Sequence, residues 1–391
     1  MSRDVDVVVV GGRVAGASTA MLLARQGHRV LALDRAALPS DTVSTHALLR
    51  SGVLQLRRWG LLDRVVDAGT PPVRAVTLGF GDQRVSIEIR LENGIDFLMA
   101  PRRVLLDRIL LDAAIDSGVV FRGSTRVVDL IQDRRGSVHG VLFEGEDGAV
   151  EPVTAHMVVG ADGVWSRTAA LVEAVTHKSH RPTNAVHYAY YRGVPADGFW
   201  FQFTPGVNAG IIPTNDGLCC VFAGRERSRL ADFKVDPEAE FEHLLGIGGS
   251  DLLSAVREGR RVTPFRGTPG LPGFIRRPWG KGWALVGDAG YTKDPISAHG
   301  ISDALRDAEL CARAVDAALA DPRDAEGALR AYEEQRNTLS SRMFSESAAL
   351  ASYRWDAEEA SARMRVISDT VRDECAFLES LPAWGPVLSV A

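Results

Sequence analysis

From Asp4 the chain alternates polar and apolar residues and then runs continuously apolar to Val10, as a strand covered on both faces must. Gly11-Gly12 breaks the run. Val14 to Gln26 spaces Ala, Leu and Met at helical intervals and Arg29 to Leu33 returns to strand character, so the chain opens with a strand, helix, strand unit of a parallel sheet. A further helix is predicted over Arg103 to Ser117. Strands are predicted over Val127 to Ile131 and Val138 to Phe143, joined by Asp133 to Gly136, and over Met157 to Gly160. From about Pro182 the period changes to two, in Val186 to Tyr191, Phe199 to Thr204, Gly210 to Pro213 and Leu218 to Ala223, which predicts an antiparallel sheet with one face toward an interior. Trp283 to Val286 is again continuously apolar. Ile301 to Ala320 has a helical pattern, and Ala325 to about Glu379 has helical composition with few breakers.

The first pattern thus resumes after the second interrupts it. This predicts an α/β protein in which a Rossmann-like dinucleotide-binding domain, residues 1–72, 101–170 and 276–325, carries an inserted β-rich substrate domain, residues 73–100 and 171–275, with a helical region at 326–391. The 391 residues carry a formal charge of -5, which argues against nucleic acid as a partner, because such binders gather uncompensated Lys and Arg on one face. Cys219, Cys220, Cys311 and Cys375 have neither CxxC nor metal-ligand spacing and read as buried thiols of a cytoplasmic protein. No metal site is expected. No segment reads as a signal core, and none approaches the ~20 apolar residues that span a bilayer.

Gly11-Gly12-Arg13-Val14-Ala15-Gly16 stands between the first strand and first helix, where a dinucleotide fold turns its backbone N–H groups toward a pyrophosphate. Arg13 occupies the position of the middle glycine of G-x-G-x-x-G. Its side chain is expected to swing out while its backbone keeps the turn. Asp34 ends the second strand about 20 residues on, where an acidic residue takes ribose hydroxyls. Two later strand-to-turn junctions follow, Gly160-Ala161-Asp162-Gly163-Val164-Trp165-Ser166-Arg167 and Gly287-Asp288-Ala289-Gly290, the second leading to Pro295 and Gly300-Ile301.

With these three ordered motifs the sequence resembles the FAD-dependent monooxygenase superfamily over roughly residues 4 to 330, a group that includes aromatic hydroxylases and, more distantly, geranylgeranyl reductases. The resemblance implies FAD held by Gly11 to Gly16, by Asp34 with Arg35, by Arg103 of an R-x-x-L motif, by Val127 along the adenosine, by Asp162, by Asp288 at a ribityl hydroxyl, and by Pro295, Gly300 and Ile301. Physics supports the last three, since reduced flavin carries negative charge at its pyrimidine end and a helix N-terminus there offers free N–H groups. Pro39 to His46 is expected to reach from adenosine to the flavin ring, bringing Thr45 and His46 to it, with His46 a candidate catalytic group. The inserted sheet is expected to roof the substrate pocket with His187, Tyr188, Tyr190, Tyr191, Trp200, Phe203 and Pro213. The implied activity is hydroxylation or epoxidation of a small organic compound, such as an aromatic or secondary metabolite, using dioxygen and NADH or NADPH. The alternative is reduction of isoprenoid double bonds, weakened by the lack of a cysteine in 39–46. A flavin halogenase would need a W-x-W-x-I-P segment, which is absent from the sequence, and a non-catalytic FAD-fold escort would have no need of Asp34, Asp162 and Asp288.

Overall fold

The computed structural model describes residues 3–384, so Met1, Ser2 and residues 385–391 of the expected helical region lie outside it. β1 (Val5–Val10) runs parallel to β2 (Val30–Leu33) on one side and to the end of β8 (Val150–Gly160) on the other. Its continuous apolar run has a simple cause. Val7 and Val9 face one core, shared with α1 (Val14–Arg25), while Val8 and Val10 face another beneath β6 (Arg126–Gln132) and β7 (Val138–Glu144). β8 serves both halves of this eight-stranded sheet: its start pairs antiparallel with β7, and its end pairs parallel with β1 and β18 (Trp283–Leu285). β5 (Val120–Arg122) extends the sheet beyond β2, and β17 (Trp279–Gly280) extends it beyond β18. Against α1 pack α4 (Arg103–Asp116) and α9 (Gly300–Ala320), while α2 (Arg50–Arg58) and α3 (Leu62–Asp67) complete that layer and α5 (Arg167–Leu171) follows β8.

The second eight-stranded sheet has the order β14 (Arg260–Arg261), β10 (Asn184–Arg192), β13 (Leu218–Glu226), β12 (Val207–Thr214), β11 (Phe199–Thr204), β3 (Ala75–Phe80), β4 (Gln83–Glu88), with β15 (Arg266–Thr268) also on β10. The β3–β4 hairpin reaches this sheet from far upstream and joins β11 in parallel. Both faces are covered. Met343 and Leu350 of α10 (Ala325–Ala351) and Ile367 of α11 (Ala357–Ser380) cover one face. The other carries α7 (Pro237–Gly248) and α8 (Ser250–Glu258), introduced by the short α6 (Leu230–Val235). These three helices interrupt a segment that the alternation alone describes as β-rich. The start of α7 was legible in Asp236-Pro237, where the Asp236 carboxylate accepts from the Glu238 and Ala239 N–H groups and proline holds the first helical position. A three-stranded sheet of β9 (Thr176–His180), β16 (Gly273–Arg276) and β19 (Tyr291–Thr292) ties the two halves together. Among the described residues no helix is long and apolar enough to cross a membrane.

Candidate active site

The turn after β1 keeps its shape with Arg13 in it. Gly11 has φ +113°, and a Cβ there would collide with the Ala161 carbonyl, so the turn and the Gly160–Gly163 loop touch at backbone distance. Asp34, buried at the end of β2, closes the turn from the side: its carboxylate accepts from Gly12 N–H at 2.7 Å and Ala36 N–H at 2.8 Å. A carboxylate has about four lone-pair sites, so two remain for a ligand. Arg35 next to it is exposed. Thr125 N–H donates to the Asp34 carbonyl, which sets the start of β6, and with it Val127, beside the same loop; the Val127 side chain itself points into the core.

Arg13 does swing away from the turn, onto protein. Its guanidinium donates to the Ser40 carbonyl at 3.1 Å, the Ser40 hydroxyl at 2.8 Å and Asp107 at 3.0 Å. Asp107, buried on α4, also takes two bonds from Arg103 one turn earlier. Arg13 and Arg103 therefore share one carboxylate and fasten the 39–46 loop to α1 and α4. Asp162 likewise serves its own turn, accepting from the Ser166 hydroxyl and from the N–H and hydroxyl of Thr168.

The second end of the cleft is built on α9. His299 precedes its first turn without a capping side chain, so the N–H groups of Gly300 and Ile301 have no acceptor within the helix. A Cβ added to Gly300 would meet nothing within 4 Å. Asp288 is exposed to solvent yet enclosed by protein, because it lies in the cleft; burial pushes its carboxyl up to about 6, against the pull of Lys293 and Arg103. A Cβ at Gly287 would stand 2.7 Å from that of Ala15, so this turn rests on the start of α1. Arg103, Asp288, Gly300 and the start of α1 thus surround one space, a fit for FAD: two uncapped helix N-termini for its phosphates and its pyrimidine, and free carboxylate acceptors for its sugar hydroxyls.

Behind α9 lies a charge network no motif announces. Arg306, wholly buried, donates to Asp303 at 2.8 Å, Asp307 at 2.7 Å, Glu374 at 2.9 Å and the Ser340 hydroxyl at 2.9 Å. Lys293 pairs with Asp303, and His299 approaches Glu374 at 3.2 Å. Burial raises the Glu374 carboxyl, but His299 and Arg306 more than offset it and hold the group ionised. His299, Asp303 and Glu374 are close enough to suggest a metal site, yet Lys293 and Arg306 already occupy that space with positive charge.

The sheet corrects the expectation for the roof. Strand alternation sends Tyr188, Tyr190 and Phe203 to the inner face, toward α10, α11 and the 39–46 loop, whereas His187, Tyr191, Trp200 and Pro213 face the outer helices. His187 stacks on Phe233 at 3.5 Å and Tyr191 on Phe241 at 6.5 Å, and Pro213 sits opposite Cys219 of the outer core. On the inner face His46, at φ 68°, hydrogen-bonds the Tyr190 hydroxyl, and Arg102 lies over the Tyr190 ring at 4.8 Å. Burial, with Arg103, Arg102 and Arg266 close by, lowers the His46 imidazole to about 3, so it is neutral near pH 7. Thr45 beside it is half-buried. Ser44 N–H donates to the Tyr188 hydroxyl at 3.3 Å, and Arg266 pairs with Asp41 at 2.6 Å.

A flavin cleft under an aromatic sheet defines a class, the FAD-dependent oxidoreductases. The chain belongs to the FAD binding domain family, which matches residues 4–347. Among curated relatives, the chain is similar to digeranylgeranylglycerophospholipid reductase 2 of Methanothermobacter thermautotrophicus, 29% identical over 335 residues, or 81% of this chain and 80% of the relative. Among solved structures, PqsL, a probable FAD-dependent monooxygenase from Pseudomonas aeruginosa, superimposes with TM-score 0.78 at 22% identity, covering 93% of this chain and 99% of that one. A ternary complex of aklavinone-11 hydroxylase with FAD and aklavinone gives TM-score 0.72 at 22% identity, covering 90% and 70%. At these identities the structural likeness is one of fold.

Proposed function

We propose that the protein is a monooxygenase that uses NADH or NADPH and dioxygen to oxidise a small, polar, electron-rich organic substrate held between the cleft and the inner face of the second sheet. The observation that carries this reading is the polar wall where the two meet: the Tyr188 and Tyr190 hydroxyls, Ser44, His46, Arg102 and Arg266. A saturated or polyprenyl chain gains nothing from such groups, while a substrate with hydroxyl, amino or carboxylate substituents pairs with them. Asp34, Arg35, Arg103, Val127, Asp288, Gly300 and Ile301 would hold FAD. The chemistry bound FAD supplies is hydride acceptance from NAD(P)H and reduction of dioxygen. The protein's part is placement. The free N–H groups at the start of α9 stabilise negative charge at the pyrimidine end, and neutral His46 orients the Tyr190 hydroxyl rather than carrying a proton.

The reductase relative favours a second reading, reduction of an isoprenoid double bond, and oxygen separates the two. FAD-loaded protein is mixed with NAD(P)H and panels of phenolic and polyprenyl compounds, with and without air. Oxygen uptake coupled to a product heavier by one oxygen atom supports the monooxygenase. Anaerobic turnover that yields a saturated product overturns it in favour of the reductase.

A further inference from the structure

The second sheet ends differently on its two sides. One edge is β14, two residues long, and both are arginine, so a second copy would meet it with like charge. The other edge is β4, six residues long and exposed at every one, with Val85 54% and Ile87 43% accessible. β4 pairs with β3 from Ala75↔Glu88 to Phe80↔Gln83, and Ile89 N–H donates to the Arg74 carbonyl at 2.8 Å. Backbone groups alternate sides along a strand, so odd-numbered residues point toward β3. The N–H and C=O groups of Arg84, Ser86 and Glu88 then point outward, and no strand among the described residues pairs with them.

The side chains of this edge complement themselves. Laid antiparallel on a second copy and centred on Ser86, the strand puts Arg84 opposite Glu88, Asp82 opposite Arg90 and Val85 opposite Ile87, each twice by symmetry. The pairs 84–88 and 86–86 are those whose backbone groups face outward, so ladder and charges agree on one register. No neighbouring register does this. Centring on Val85 puts Asp82 against Glu88, centring on Ile87 puts Arg84 against Arg90, and centring on Arg84 or Glu88 puts that charge against itself. Charges that guard an edge against pairing carry a single sign, as at β14; alternating signs that match only at one register select a partner. Arg84 now bonds Asp251 at 2.6 Å, an exposed pair of similar modest strength that dimerisation would exchange for the cross-strand one.

We infer that β4 is a homodimer interface, in which two copies of this chain pair antiparallel about Ser86 and join their sheets into one. Sedimentation equilibrium on the full-length protein tests it, with the fold of each variant checked by circular dichroism. The wild type is expected to dimerise at micromolar concentration. Arg84→Glu and Glu88→Arg each oppose like charges at two symmetric places and should weaken the dimer at least about tenfold, and the double variant R84E/E88R should restore it. Ser86→Cys places a thiol on the symmetry axis, where paired Cα atoms stand ~5.5 Å apart, and should form a disulfide-linked dimer under mild oxidant. The native cysteines are all buried, so Arg260→Cys on the blunt edge is a matched control that should stay uncrosslinked. A wild type that is monomeric at ~100 µM, a double variant no better than the singles, or equal crosslinking from β14 would each overturn the inference.

Discussion

Two helix N-termini face the cleft, and they are built in opposite ways. The start of α1 is made mostly from nearby sequence: two glycines, one carboxylate at the end of the next strand, and an arginine that folds onto Ser40, with Asp107 alone reached from α4. The start of α9 depends on residues drawn from three helices, with Arg306, Asp303, Glu374 and Ser340 all buried and bonded together through Arg306. A helix end that binds phosphate needs only geometry, because the ligand brings its own charge. An end that must stabilise charge appearing during a reaction needs a fixed electrostatic background, and only tertiary packing supplies one.

Arg306→Met breaks the comparison most directly. It leaves the buried carboxylate of Asp307 without its ion-pair partner and removes one partner each from Asp303 and Glu374, and should cost about 3–5 kcal/mol in urea denaturation. An unchanged midpoint would show that the network is held by the surrounding packing.

Asp294 gives the α9 end a pH dependence. Burial pushes its carboxyl up to about 7 although Asn184 and the Ile296 N–H bond it, and its second oxygen has no partner. The folded state therefore keeps a proton that the unfolded state releases near 3.8, and stability is lost as pH rises from there toward 7. Between pH 5 and 8 the loss is about 3 kcal/mol. Asp294→Asn keeps the shape without the charge, so its melting temperature should fall less across that range than that of the wild type, with Asp288 left to titrate; parallel curves would mean Asp294 does not titrate there.

Asp288→Ala removes a carboxylate from the cleft and leaves the core untouched. Fluorescence titration should show FAD binding weakened by roughly 1.5–3 kcal/mol, and full retention would place FAD away from this turn. The smallest effect is expected at Arg13→Gly. Arg103 continues to neutralise Asp107, the turn gains back a glycine, and loss of the Ser40 bonds should cost only about 0.5–1.5 kcal/mol in stability with FAD still bound. Loss of FAD in this variant would show that the loop anchored by Ser40 forms part of the cofactor's wall.

What could be read from the sequence follows the same division. β1, α1, β2 and the α9 helix were legible, because burial on two faces and burial on one face leave different periods in a local stretch. Alternation also revealed β10 to β13. It could not say which side of each strand faced the cleft, so His187, Tyr191, Trp200 and Pro213 were assigned to a face that belongs to Tyr188, Tyr190 and Phe203. Period two fixes that residues share a side, and only the position of α7 and α8 decides which side is inside. Asp107 was within reach, since it stands one helical turn from Arg103. Glu374 was not: nothing local marks it, and it meets Arg306 across 68 residues.

The reach of Glu374 has a consequence for how the molecule is made. The family match ends at residue 347, but Glu374, which pairs with Arg306 and His299, arrives on α11. A nascent chain emerges from the ribosome in order, and the turn after β1 can form while the network behind α9 still lacks its Glu374 partner. The start of α9 is then late to mature. A chain shortened to the family boundary would carry every recognisable motif and still lack the residue that lets one of them settle.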